Sequence, residues 1–343
     1  MLSLIIIALI AALLPSAAAA EPVRFVAFGD VPYCRAAETC AAEVERVERL
    51  MAAINAARPA FSIFLGDTKA GGEVCTDAVV LRALAWMGRA DHPLLYTPGD
   101  NEWTDCWQAR SGSFDPLDRL RLIRERYFAG TPHLGRGNLA VVRQPEADPA
   151  HPLYVENARW VLDGVVFLTL HVPGSNNNLP IEPGGRPESS PPAEAEWRAR
   201  DAANRAWLEA GFAEAAHLNA RGVVVAMQAD MFFTRVCGLD ADSGYRATID
   251  TLARAAAGFG RPVLLLNGDK HVFVRDQPLP EAPNLTRIMV PGDRDAQAVV
   301  LTFDPGGAEP LRFDLDLIGE AGNPPQREPC DGYKTARDAM RAR

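Results

Sequence analysis

Four times along this chain a short apolar run stops at the dipeptide Gly-Asp. Residues 23–28 lead to Gly29-Asp30, residues 61–65 to Gly66-Asp67, residues 93–97 through Pro98 to Gly99-Asp100, and residues 262–266 through Asn267 to Gly268-Asp269. Runs this short and this uniformly apolar are strands buried on both faces. After the first, residues 36–57 carry Val44, Val47, Leu50, Met51 and Ile54 at helical spacing, and residues 78–87 repeat the pattern after the second. The first three aspartates are 37 and 33 residues apart, the length a strand, helix, strand unit needs to return beside its starting strand. That alternation predicts an α/β fold, whose binding crevice lies at the carboxyl ends of its parallel strands.

One Gly-Asp is most simply a turn or a helix cap. Four at strand ends bring Asp30, Asp67, Asp100 and Asp269 to one crevice, where they repel one another and lose hydration. A bound divalent cation is the simplest way to keep them ionised. His271 follows Asp269 by two residues and joins them as a candidate metal ligand.

The rest of the chain continues the α/β pattern with one change of character. Residues 153–162 and 165–172 are two β-rich runs around Asp163-Gly164, a hairpin signal. Residues 173–192 form a Gly-, Pro-, Asn- and Ser-rich loop. A helix over residues 194–219 offers Trp197, Ala203, Trp207, Leu208 and Phe212 for burial. Strands are expected over 223–227, 286–290, 298–303 and 311–315, and a helix over 249–257. With no internal repeat and no dividing linker, residues 21–320 read as one domain, followed by a tail over 321–343 whose end, residues 334–343, is basic.

Residues 1–20 contain no charged side chain and pass from an apolar core to Ala17–Ala20. This reads as a secretory signal peptide cut near Ala20, an uncleaved anchor being the alternative. Export makes disulfides the default for the six cysteines. Cys34 and Cys40 flank the first strand-end loop, Cys75 and Cys106 follow two turns that share a rim, and Cys237 with Cys330 is the pair left over. A periplasmic or secreted protein with no membrane span in its mature form is expected. The net charge of −9, from 35 basic and 44 acidic residues, argues against a surface built for nucleic acid.

The order Phe28-Gly29-Asp30, Leu65-Gly66-Asp67, Pro98-Gly99-Asp100-Asn101-Glu102, Val225-Ala226-Met227-Gln228 and Asn267-Gly268-Asp269-Lys270-His271 resembles the calcineurin-like metallophosphoesterases, which include the purple acid phosphatases. The resemblance spans roughly residues 23–305. It implies a four-layer αββα sandwich, with two metals at the strand ends bridged by an aspartate and by a hydroxide that attacks phosphorus. Asp30 matches the aspartate of the first motif, Asp67 the bridging aspartate, and His271 the last histidine. Elsewhere the chain departs from the pattern. Asp100 stands for a metal-binding asparagine, Asn101 for a histidine that acts as acid or contacts phosphate, Gln228 for an isolated histidine ligand, and Asp269 for the first histidine of the last motif. Pro32 replaces a frequent histidine, with Tyr33 beside it.

These exchanges turn nitrogen ligands into oxygen ligands, which suits magnesium, manganese or calcium better than zinc or iron. The expected metal set for one or two divalent ions is Asp30, Asp67, Asp100, Gln228, Asp269 and His271. Asn101 is expected to position a phosphate ester and His171 to supply a proton, with Tyr33, Asn176 and Asn177 touching the substrate. A small phosphoester hydrolysed in a metal-dependent reaction is the function this implies. The alternative is a non-catalytic metal-binding or structural protein on the same scaffold.

Overall fold

The apolar runs that end at Gly-Asp become the centre of one sheet and part of a second. The structure, a computed structural model, describes residues 22–179, 191–232, 244–304 and 314–320. The expected signal peptide, the tail, Cys237 and Cys330 lie outside the described residues.

The first sheet holds β1 (Val23–Phe28), β2 (Phe61–Phe64) and β3 (Pro93–Tyr96), mutually parallel in that order. A two-residue strand β4 (Leu134–Gly135) closes the β3 side. The second sheet contains β5 (Val141–Arg143), β6 (Ala158–Leu162), β7 (Val165–Thr169), β8 (Gly222–Ala226), β9 (Val263–Asn267), β10 (Val274–Asp276) and β11 (Leu285–Met289). Within it β7, β8, β9 and β11 are parallel neighbours in the order β11-β9-β8-β7, and β6 pairs antiparallel with β7 through the Asp163-Gly164 turn. Antiparallel β12 (Ala296–Phe303) and β13 (Asp314–Glu320) complete the first sheet beyond β1.

Between the sheets Phe25 and Phe61 of the first meet Phe167 and Trp160 of the second. Their ring centroids are 5.4 Å apart for Phe25–Phe167, 5.0 Å for Phe61–Phe167 and 5.2 Å for Phe61–Trp160. Such edge-to-face contacts each add roughly 0.5–1.5 kcal/mol beyond the apolar area they bury. On the outer face of the first sheet lie α1 (Ala37–Ala57), through Val47, Leu50, Met51 and Ile54, and α2 (Pro116–Tyr127), through Leu120, Ile123 and Tyr127. The outer face of the second is covered by α3 (Pro191–His217) and α4 (Arg246–Phe259), through Trp207, Leu208, Phe212, Ile249 and Leu252. The layers therefore run helices, sheet, sheet, helices, the αββα sandwich expected from the sequence.

Two boundaries differ. Residues 78–87 form two short helices, Asp77–Val80 and Ala83–Met87, rather than one. Periodicity does not register the break because Val80, Ala83, Trp86 and Met87 still face one core. The last strand is described over Asp314–Glu320 and runs past the expected end at residue 315, because its length follows its pairing along β12 rather than its own apolar run; residues 311–313 of that expectation lie outside the described residues.

Candidate metal centre

The carboxyl ends of β1, β2, β3, β8 and β9 meet at one rim, and the backbone there is unusual. Asp30, Asp67, Asp269 and His271 take φ values of 55°, 59°, 80° and 59°, the left-handed region that costs an L-residue about 1–2 kcal/mol. The turn points each side chain back across the strand ends. It also explains the glycines: a Cβ on Gly99 would lie 2.1 Å from Asp67 Oδ1, and one on Gly268 would lie 2.2 Å from Asp30 Oδ2. Each of these two glycines makes room for the aspartate of another motif.

Asp30, Asp67 and His271 each offer a ligand atom, and the three atoms lie within 4.8 Å of one another. Asp30 is fully buried, accepts from the Asp269 backbone N at 3.1 and 3.2 Å, and lies 3.4 Å from His271 Nε2. Tyr33 completes the cluster, its hydroxyl donating to Asp67 Oδ2 at 2.7 Å and lying 2.9 Å from His271 Nε2. Asn101 braces Asp67 twice, from its backbone N to Oδ1 at 3.1 Å and from Nδ2 to Oδ2 at 2.7 Å, while Nδ2 also reaches the Tyr33 hydroxyl at 2.8 Å. Burial, and then the charges of Asp100, Glu102 and Asp30, push the Asp67 carboxyl well above its ordinary range. Burial likewise raises Asp30, against the opposing effect of His271. For His271, burial alone would lower the imidazole, but the hydrogen bond and charge of Asp30 raise it. Two carboxylates and an imidazole converging where ionisation is disfavoured form a donor set that fits a divalent cation.

Asp100 and Asp269 reach the same rim from the other side. Asp100 accepts from Ser175 Oγ at 2.8 Å and from Gln228 Nε2 at 2.9 Å. Its carboxyl is pushed up to about 8 by burial, and then by Asp105 and Asp269. Asp269 Oδ2 accepts from the Asp230 backbone N at 3.1 Å and lies 3.1 Å from Lys270 Nζ.

No family model matches this sequence, and no curated protein matches it either. Solved structures do match in fold. A dimetal phosphatase from Danio rerio is 13% identical and superposes with a TM-score of 0.51 over 87% of this chain and 99% of its own. A purple acid phosphatase from yellow lupin (Lupinus luteus) seeds is 10% identical, with a TM-score of 0.51 over 88% of this chain and 54% of its own. The chain has the calcineurin-like metallophosphoesterase fold.

Within the metallophosphoesterase fold, several residues expected at the site have other work. Gln228 turns its oxygen to the backbone in this structure. Its Oε1 accepts from the Gly174 backbone N, and this fixes the amide so that Nε2 faces Asp100. His171 is fully buried with Nδ1 2.8 Å from Glu156 Oε1, and burial holds it down to about 4 despite that carboxylate, so it is neutral at pH 7. In this structure its Nδ1 is committed to Glu156, and the ring is buried away from solvent. Asn176 Nδ2 donates to Leu179 O and its Oδ1 accepts from the Gly244 backbone N, while Asn177 Nδ2 donates to Gly244 O and its Oδ1 accepts from Arg200 Nη1. Both side chains thus hold the turn in this structure. Their loop is a single left-handed turn, with Ser175, Asn176, Asn177 and Asn178 at φ values of 49°, 52°, 57° and 68°. Asparagine tolerates this conformation better than most residues.

Residues not singled out from the sequence also shape the rim. Ser175 Oγ approaches both Asp100 Oδ2 at 2.8 Å and Asp105 Oδ1 at 2.7 Å. Glu102 Oε1 accepts from the Gly99 backbone N and from Tyr96 Oη, each at 2.8 Å. Buried Lys69 donates to the carbonyls of Ala70 and Asn101 at 2.9 and 2.8 Å. Disulfides join Cys34 to Cys40 and Cys75 to Cys106. The second ties the loop after β2 to the loop after β3, holding Asp67 and Asn101 in register.

Proposed function

We propose that this protein is a metal-dependent phosphoesterase that cleaves a small phosphate ester. The observation that carries the reading is the convergence of Asp30, Asp67 and His271 ligand atoms within 4.8 Å at the strand ends of a metallophosphoesterase fold. These three residues would hold a divalent ion, with magnesium, manganese or calcium favoured by the two carboxylates. Such an ion, when bound, acidifies water and offsets charge on phosphoryl oxygens.

The protein's own groups do the rest. Tyr33 and Asn101 fix the Asp67 carboxylate: the Tyr33 O–H is given to Asp67 Oδ2, and the Asn101 amide hydrogens go to Asp67 Oδ2 and the Tyr33 oxygen, so both act on the ion ligand. Water adds to phosphorus, the P–O bond to the alcohol breaks, and the alcohol leaves with a proton. Asn101 stands where the family resemblance implies a proton-transferring histidine, and an amide transfers no proton at neutral pH. The leaving group therefore takes its proton from solvent, which favours esters of acidic alcohols.

Export accompanies this reading. The two disulfides suit an oxidising compartment, and among the described residues no helix is long and apolar enough to cross a membrane. The test is a panel of aryl and alkyl phosphate mono- and diesters assayed with magnesium, manganese, calcium and zinc. Ion-dependent hydrolysis that falls as the leaving-group pKa rises supports the proposal. Ion binding with no turnover on any ester supports the binding-protein alternative.

A further inference from the structure

We infer that the Lys270 ammonium takes the place of a second divalent ion, so that one ion completes this site. This rests on reading Asp30, Asp67 and His271 as ion ligands. The resemblance puts a second ion among positions 100, 228 and 269, and the similar Danio rerio protein is described as a dimetal phosphatase. In this chain that region is furnished with hydrogen-bond donors. Lys270 Nζ lies 3.1 Å from Asp269 Oδ2, and the charges of Asp100 and Asp230 also act on it. Asp100 is engaged by the Ser175 hydroxyl and the Gln228 N–H at 2.8 and 2.9 Å.

The Gln228 amide cannot be turned to offer its oxygen, because the Gly174 N–H needs that oxygen as acceptor. Asp230 is held at 2.6 Å by Arg287 Nη1, which places a second fixed cation behind the lysine. Arg287 is also paired with Asp276 at 2.6 Å, so its charge is met by Asp230 and Asp276, and Lys270 is the cation set against Asp269 and Asp100. A divalent ion added there would meet the ammonium at close range and would have to displace the Gln228 N–H. The Lys270 side chain is partly exposed, with its ammonium 3.1 Å from Asp269 Oδ2, where it supplies a point charge beside the ion ligands.

The test is to titrate the metal-free full chain with manganese, count bound ions by elemental analysis, and record the electron paramagnetic resonance spectrum. One manganese per chain with an uncoupled signal is expected. Lys270→Ser should gain a second, weaker manganese and a spin-coupled signal, with circular dichroism confirming that the variant is folded. Two ions in the unaltered chain, or a folded Lys270→Ser that stays at one, would overturn the inference while leaving the phosphoesterase reading intact. No bound ion in the unaltered chain would instead remove the reading on which it rests.

Discussion

Asp67 is braced from three sides at the rim. It accepts from Tyr33, from the Asn101 side chain and from the Asn101 backbone, all while buried and in a left-handed conformation. A second buried polar residue, His92, titrates away from the rim and gives a separate handle on stability. His92 Nε2 lies 2.8 Å from Ser62 Oγ, and burial lowers its pKa to about 4 from an ordinary 6.5. Between those values the unfolded chain binds a proton that the folded chain does not. Its contribution is therefore complete above pH 6.5 and is lost as pH falls toward 4. From pH 7 to pH 5 the loss is roughly 2 kcal/mol. Urea unfolding at both pH values should show a smaller loss for His92→Gln than for the parent, and equal losses would refute the assignment. At this scale the sequence disclosed the residues that lie at strand ends, Asp30, Asp67 and His271, because a repeated Gly-Asp marks position without needing the fold. It did not disclose the orientation of Gln228 or the burial of His171. Those depend on the Gly174 N–H and on Glu156, contacts made across 54 and 15 residues of sequence.

The strand-end turns are the elements that matter, and their glycines are spacers between motifs rather than isolated hinges. Gly99→Ala places a Cβ 2.1 Å from Asp67 Oδ1, so Asp67 must move. Manganese affinity, measured by calorimetry, should fall by about 10- to 100-fold, the range seen when groups supporting a metal ligand are disturbed. Gly258→Ala, on α4 with nothing within 4 Å of its Cβ, should leave affinity unchanged. Unaltered affinity in Gly99→Ala would sink the idea that this close approach sets the site. The strands and the hairpin were legible because buried parallel strands are continuous apolar runs and because Asp163-Gly164 takes the two positive φ values, 47° and 77°, that a tight hairpin turn needs. The left-handed turn at residues 175–178 was not, since a run of asparagines specifies a loop without specifying its hand. Side-chain bonds to Asp100, Gly244 and Arg200 fix its shape.

As a whole molecule, the sandwich aligns two sets of parallel strands so that their carboxyl ends share one rim. The aromatic layer of Phe25, Phe61, Phe167 and Trp160 keeps the sheets in register. Layer order follows from the three separate cores, one between the sheets and one under each helical layer. The alternation of strands and helices made the fold class legible, and the motif order extended this to four layers. The partition of later strands between the sheets was beyond it, because β12 and β13 leave the order of the chain to join β1. The architecture brings candidate ligands of both sheets together, Asp30 and Asp67 from one and His271 from the other. The most direct measurement is steady-state hydrolysis of p-nitrophenyl phosphate and its bis-aryl diester by chelator-stripped protein, followed as manganese is added back. Hydrolysis of at least one ester should be absent without metal, rise to saturation as the ion binds, and remain absent at every manganese concentration in Asp67→Asn. Hydrolysis that persists in the stripped protein and in Asp67→Asn would contradict the account and move the chemistry to other residues.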